Sequence, residues 1–162
     1  MADVLTPEQR RLNMSRIRGR DTKPEMLLRR GLHRRGLRFR LHRKDLPGCP
    51  DLVFPRFHAV LFVHGCFWHG HSCPMFKVPA TRTDFWLGKI SGNVDRDRKA
   101  VVALVKDGWR VLTIWECALR GRQQLDRTGV LEKAEAFLMG KRNTAYITGR
   151  QAGSASAWSA QR

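Results

Sequence analysis

The eleven residues 63–73, VHGCFWHGHSC, constrain this chain more than any other segment. They combine three histidines, two cysteines and two adjacent aromatic residues, a mixture for which a core segment has no use. Cys66, His71 and Cys73 can all turn towards one point, and thiolate with imidazole is the ligand set that zinc prefers. Zinc usually takes four ligands, and Cys117, which follows a strand-like run, is the natural fourth. The segment therefore predicts a zinc site.

A second set of side chains alternates with these ligands, and it consists of His64, Phe67, Trp68 and His69. A metal-bound loop would splay this set outward, so that two imidazoles flank two aromatic rings. We therefore expect the chemistry of the protein at this surface.

The charge balance restricts the partners of the chain. Lys and Arg number 31 against 14 Asp and Glu, which gives a formal net charge of +17. Such an excess attracts a polyanion, because each neutralised phosphate releases counterions. With 162 residues the chain is long enough for one ordinary core, so we expect a single domain with frayed ends.

No export signal is visible at the amino terminus, and no apolar run approaches the length of a membrane span. We therefore expect no membrane partner and a reducing cytoplasm, where cysteines at ligand spacing bind metal more often than they form disulfides. Buried or unpaired thiols are the alternative to zinc, and Cys49 fits no cluster.

The first 21 residues are predicted to form a basic arm. Thr6, Pro7 and Gln9 have the pattern of a helix start, and five arginines follow between residues 10 and 20. Met14 and Ile17 lie on one face among these arginines, as a minor-groove arm with apolar wedges requires. A solvated polar helix is the alternative.

A helix is predicted from Thr22 to Gly36, because the capping pattern recurs at Thr22 and Glu25. Glu25 is ambiguous, since a capping carboxylate accounts for it without catalysis. From Leu37 to Leu41 apolar and basic residues alternate, which is the period of a half-exposed strand.

Residues 51–54 and 57–63 are predicted to form an apolar hairpin that places Asp51 and Val63 at the same end. Asp51 begins an apolar strand, where a carboxylate is costly without a partner, and a divalent cation is one such partner. A turn-capping aspartate is the alternative.

The remaining segments complete an α/β sandwich with a mixed sheet, in one domain at 22–140. They are a loop at 76–83, an amphipathic segment at 84–90, helices at 93–106 and 129–139, and a strand at 109–115. Trp86 lies in the amphipathic segment, and a purely structural position in the core is one interpretation of this residue. Residues 141–162 lack periodicity and are rich in small and polar residues, so we predict a disordered tail.

Several motifs closely resemble those of the very-short-patch-repair (Vsr) DNA mismatch endonucleases, over about residues 8–138. They are HGCFWH at 64–69, HSC at 71–73, FKVPATRT at 76–83, GWRV at 108–111 and WECALR at 115–120. The resemblance implies a mixed sheet flanked by helices, similar to the restriction endonucleases, with a structural zinc site. It also implies a magnesium-dependent enzyme that nicks one strand at a thymine opposite guanine. Such mismatches arise when 5-methylcytosine deaminates, and the nick initiates very short patch repair.

The resemblance assigns roles to individual residues. Asp51 looks like the side-chain ligand of catalytic magnesium. Family members often have Thr where this chain has Val63, but the contact resembles a backbone carbonyl ligand, which valine keeps. His69 looks like the base that activates water, with His64 beside it at the scissile phosphate and Glu25 in support.

The resemblance also implies an intercalating set beside the mismatch, formed by Phe67, Trp68 and Trp86. Insertion favours a mismatch because unstacking costs least there. Met14 and Ile17 would act from the other groove, and Lys89 and Asn93 are candidate contacts near the mismatched pair. An exposed helix surface is the alternative for these four residues. Zinc would order the aromatic loop and do no chemistry.

The expected partner is double-stranded DNA with a T:G mismatch, bound by a monomer in the bacterial cytoplasm and associated with the nucleoid. General mismatch-repair proteins are further candidate partners. Two competing hypotheses remain: a zinc-stabilised DNA-binding module without hydrolysis, and a nuclease of the same fold without mismatch preference. The first predicts that Asp51→Ala and His69→Ala change affinity alone, and the second predicts equal nicking of paired and mismatched duplexes.

Overall fold

The computed structural model describes residues 5–17 and 19–151, so parts of the predicted arm and tail lie outside the described residues. The elements in chain order are α1 (Pro7–Ser15), α2 (Lys23–Arg34), β1 (Arg40–Leu41), β2 (Leu52–Phe54), a 3-10 turn (Pro55–Phe57), β3 (Ala59–His64), α3 (Thr83–Lys106), β4 (Arg110–Trp115), α4 (Glu116–Leu119), α5 (Arg127–Met139) and β5 (Thr144–Ile147). Among the helices of this described part, none is both long and apolar enough to cross a bilayer.

The strands form one mixed sheet in the order β1-β2-β3-β4-β5. The first three are antiparallel neighbours, and β4 and β5 continue the sheet in parallel with β3. Because β3 pairs His64 with Trp115 of β4, the carboxyl ends of both strands lie at the same edge. β2 runs in the opposite direction, so Asp51, which precedes it, lies there as well. We call the edge with Asp51, His64 and Trp115 the site edge, and ligands of open α/β sheets bind at such an edge.

Helices cover both faces of the sheet. One face packs against α2, α4 and α5 in a core that includes Leu28, Leu61 and Phe137. The other face packs against α3 in a smaller core that includes Val60 of β3 and Leu104 of α3. All residues of β3 except Val63 are buried, as expected for a strand covered on both sides. The predicted α/β sandwich with a mixed sheet is therefore confirmed.

Local predictions near the amino terminus are confirmed in part. Thr6 and Gln9 form a reciprocal capping box at the start of α1. The Thr22 hydroxyl accepts a hydrogen bond from the backbone amide of Glu25 at the start of α2. The apolar hairpin forms from β2 and β3. The strand predicted at 37–41 is shorter than expected, and β1 contains only the last two of these residues.

α3 is one continuous helix of 24 residues, whereas the sequence predicts a segment at 84–90 and a separate helix at 93–106. The predicted separation is wrong because a glycine such as Gly92 costs a helix only about 1 kcal/mol, which packing of the neighbouring turns offsets. Continuity places four residues at helical spacing on one face. They are Trp86, Lys89, Asn93 and Asp97.

The prediction of a disordered tail is wrong for residues 141–151, and the domain extends past the predicted boundary at 140. β5 pairs in parallel with β4 and buries Ala145 and Ile147. Two buried positions in a four-residue strand are too short a pattern for periodicity to identify.

Candidate active site and metal centre

The carboxylate of Asp51 is held by the backbone of the neighbouring strand. Its Oδ2 accepts a hydrogen bond from the Val63 amide at 2.7 Å, so the hairpin brings these two residues together as predicted. Burial raises the pKa of Asp51 to about 6, the Val63 amide lowers it, and the charge of Glu25 raises it again. A half-buried carboxylate with few compensating partners and a second carboxylate nearby fits a hard divalent cation such as magnesium.

The side chain of Glu25 is only 2% exposed, and its contacts extend beyond the start of α2. The carboxylate accepts a hydrogen bond from the Asp21 amide at 2.9 Å and lies 3.5 Å from the Arg29 guanidinium. Its Oε1 also lies 2.8 Å from Nε2 of His42, whose Nδ1 lies 3.9 Å from Oδ1 of Asp51. The structure thus connects Glu25 to Asp51 through His42, a residue that sequence reasoning missed because it follows a strand of ordinary surface alternation.

His64 and His69 stack face to face, with ring centroids 3.8 Å apart and planes 3° apart. Nδ1 of His69 lies 2.6 Å from Oδ2 of Asp97 in α3, and this carboxylate fixes the orientation of the ring. With Nδ1 engaged, Nε2 of His69 is the nitrogen that can accept a proton. Burial, and then the neighbouring His69, lower the pKa of His64 to about 3, so His64 is neutral near pH 7.

Asp97 is the second functional candidate that the sequence does not single out. It lies 28 residues from its partner His69 along the chain, between the basic residues Arg96 and Arg98. The one pattern that could have revealed it is the helical spacing from Trp86, and that pattern depends on α3 being continuous.

Phe67, Trp68 and Trp86 form a cluster of three rings beside the histidine pair. Their centroids are 5.2, 5.6 and 5.8 Å apart, and each pair meets at a steep angle. The Lys89 ammonium lies 5.6 and 5.8 Å from the two indole rings. The Asn93 side-chain amide donates a hydrogen bond to the Trp68 carbonyl at 2.8 Å. All three rings are half-buried, so Trp86 is not a core residue.

The four predicted zinc ligands converge, with their ligand atoms within 4.8 Å of one another, and these are Cys66, His71, Cys73 and Cys117. This spacing and the soft donor set fit a tetrahedral zinc ion. A hydrogen bond from the Cys66 thiol lowers the pKa of Cys117 to about 4, and further hydrogen bonds from His71 and the Gly149 amide act in the same direction. The same hydrogen bond raises the pKa of the Cys66 thiol, because Cys66 is the donor and keeps its proton. Cys49 is exposed and does not belong to this group.

The two arm residues are exposed, Met14 by 44% and Ile17 by 48%, and α1 buries none of its residues. α1 therefore does not contribute to the core, and the exposed apolar side chains of the arm are available to a ligand.

A basic α/β protein that gathers imidazoles, carboxylates and half-exposed aromatic rings at one sheet edge has the arrangement expected of an enzyme that acts on nucleic acid. Residues 2–75 match the family model described as DNA mismatch endonuclease Vsr. The DNA mismatch endonuclease Vsr of Escherichia coli strain K12 is 49% identical over 147 residues, which cover 91% of this chain and 94% of that protein. The chain belongs to the Vsr family of DNA mismatch endonucleases.

Two further relatives carry the name of nicking enzymes. Type II nicking enzyme V.XorIIP of Xanthomonas oryzae pv. oryzae is 53% identical over 119 residues, which cover 74% of this chain and 88% of that protein. Type II nicking enzyme V.NmeAIP of Neisseria meningitidis is 42% identical over 131 residues, which cover 78% of this chain and 94% of that protein.

Proposed function

We propose that this protein nicks one DNA strand at T:G mismatches that arise from deamination of 5-methylcytosine, and so initiates very short patch repair. The names of its relatives, a mismatch endonuclease and nicking enzymes, support this activity. The observation that carries the proposal is the contact between His69 and Asp97 beside the three-ring cluster. A proton acceptor close to rings that could enter an unstacked base step supports cleavage beside a mismatch.

In the proposed hydrolysis, His69 takes a proton from the attacking water through Nε2. Asp97, at the opposite nitrogen, stabilises the imidazolium that forms. His64 stays neutral and contacts the scissile phosphate as a hydrogen-bonding group. Asp51 and the carbonyl of Val63 would hold magnesium, with Glu25 in support. When bound, magnesium polarises the phosphate and offsets the charge that develops during the reaction.

We propose a restriction-endonuclease-like core for the fold, supported by a mixed sheet with helices on both faces. In this proposal residues 1–21 are a DNA-binding arm, and the nuclease domain runs from residue 22 through β5. Zinc at the cysteine and histidine cluster would fix the loop that carries Phe67 and Trp68, since its ligands flank both rings in sequence.

The proposed DNA contacts divide between two surfaces. Phe67, Trp68 and Trp86 would enter the mismatched step from one groove, with Lys89 and Asn93 beside them. The exposed apolar residues of the arm, Met14 in α1 and Ile17 just after this helix, would act from the other groove.

Labelled duplexes with T opposite G or T opposite A, incubated with or without Mg²⁺ and separated on a denaturing gel, test the proposal. We expect a nick in the T strand of the T:G duplex, and only with Mg²⁺. His69→Ala should abolish nicking and preserve binding. His58→Ala is the matched control, because His58 is exposed at the opposite end of β3. Equal nicking of both duplexes would refute mismatch preference, and binding without any nicking would refute hydrolysis.

A further inference from the structure

The backbone of His42 adopts a conformation that histidine seldom takes. Its φ is 46°, in the left-handed region, directly after β1. Its amide donates to the Asp51 carbonyl at 3.2 Å, which ties the residue to the strand that begins at Leu52. Left-handed backbone at a residue other than glycine costs of order 1 kcal/mol, and such strain persists where the surrounding structure requires it.

The side chain of His42 lies between two carboxylates. Nε2 is 2.8 Å from Oε1 of Glu25, and Nδ1 is 3.9 Å from Oδ1 of Asp51. The imidazole is 16% exposed, and a third carboxylate oxygen, on Asp21, lies 3.8 Å from Nε2. Nε2 is buried, yet among the residues that the structure describes it has no partner at hydrogen-bonding angles. The ring therefore sits against Glu25 in a contact that a small rotation would complete.

Arg29 lies near the same acidic residues as His42 and contacts two of them. Its guanidinium contacts Asp21 at 2.5 Å and Glu25 at 3.5 Å. Arg29 thus offsets the charges of Asp21 and Glu25, whereas His42 is the group that reaches from Glu25 to Asp51. A structural filler in this position would not need two nitrogens facing two acidic side chains.

We propose that His42 is a positioning residue for DNA hydrolysis, which bridges Glu25 and Asp51 and keeps both carboxylates turned towards one cation. The inference rests on the proposed function of this site. Without a bridge the buried carboxylate of Glu25 and the half-buried carboxylate of Asp51 repel each other, and each would turn towards its nearest other donor. Arg29 would then draw Glu25 away from Asp51. The left-handed backbone fixes the imidazole between the two acids before any cation binds.

Three substitutions separate positioning from packing. His42→Gly removes the ring and relieves the left-handed backbone, since glycine adopts positive φ freely. His42→Ala removes the ring and keeps the strain. His42→Gln keeps an amide nitrogen near the position of Nε2. The matched control is His58→Gly, because His58 also has a left-handed φ, of 50°, and is exposed away from the site edge.

Single-turnover nicking of the T:G duplex is measured against Mg²⁺ concentration, and Mg²⁺ affinity of the free protein is measured by calorimetry. For His42→Gly and His42→Ala we expect a loss of about tenfold or more in Mg²⁺ affinity and in nicking rate at limiting Mg²⁺, the usual effect of removing a group that orients metal ligands. Affinity for the T:G duplex without Mg²⁺ should stay unchanged. His42→Gln should recover most of the loss, and His58→Gly should behave as wild type.

Wild-type Mg²⁺ affinity and nicking in His42→Gly would overturn the inference. The inference would also be overturned if His42→Ala lost Mg²⁺ affinity in proportion to a lower melting temperature and His42→Gln did not recover that affinity. If the wild-type protein does not cut the T:G duplex, the proposed function fails. The calorimetric comparison then still decides whether His42 organises a cation site.

Discussion

At the scale of residues, the ionised form of the half-buried Asp51 carboxylate lowers the stability of the fold. Burial raises its pKa from 3.8 to about 6, so the fold disfavours the ionised form that a cation needs. The stabilising effect of the neutral form is complete below pH 3.8 and is lost as the pH rises through about 6. Asp51→Asn should therefore abolish nicking yet stabilise the magnesium-free protein at pH 8, by about 2 kcal/mol.

Urea unfolding in magnesium-free buffer at pH 4 and pH 8 measures this effect. The advantage of Asp51→Asn should be present at pH 8 and shrink towards pH 4. Asp95→Asn is the control, because Asp95 is an exposed carboxylate of α3 and should give no such advantage. Equal unfolding free energies of wild type and Asp51→Asn at pH 8 would contradict the assigned environment.

Asp97→Asn is a second test at this scale. Asparagine preserves the size of the side chain but cannot stabilise an imidazolium at His69 as a carboxylate does. Nicking under saturating Mg²⁺ should fall by about a hundredfold, the usual contribution of a general base, while duplex affinity is retained. Asp95→Asn again serves as control. Unchanged nicking by Asp97→Asn would mean that the Asp97 carboxylate does not assist His69 in the reaction.

At the scale of elements, the segment after β5 closes over the proposed zinc site. The Gly149 amide donates to Sγ of Cys117 at 3.2 Å, and a Cβ at Gly149 would lie 2.5 Å from the Cys117 carbonyl and 2.8 Å from the Gln123 carbonyl. Both atoms are backbone, so Gly149→Ala must displace the segment. We expect faster zinc release to a colorimetric chelator from Gly149→Ala. Gly88→Ala should release zinc at the wild-type rate, because its Cβ meets nothing within 4 Å.

The elements also show what sequence reasoning could predict. The residues of the 63–73 segment are close in sequence, so the convergence of Cys66, His71 and Cys73 was predictable from spacing. Asp97 and His42 reach the site through pairing and packing across distant segments, which a single sequence does not reveal. β5 was missed because its stability comes from pairing with β4, and its own pattern is only four residues long.

At the scale of the whole molecule, the charge and the aromatic cluster have separable effects. The net charge of +17 supplies affinity for any duplex, because phosphate contacts carry no sequence information. The three-ring cluster can add discrimination, because stacking depends on how readily a base step opens. A protein of this kind would bind paired DNA with the same salt dependence as mismatched DNA.

This separation gives a final prediction, measured by fluorescence anisotropy at several salt concentrations without Mg²⁺. Exchanging the exposed arm residues Arg11, Arg16 and Arg20 together for Ala should lower the slope of log Kd against log salt by up to about 3 for both duplexes. Trp68→Ala should keep that slope and reduce the preference for T:G by about tenfold, as expected for one stacking ring. A lower salt slope in Trp68→Ala, or lost preference in the arginine variant alone, would show that discrimination comes from charge.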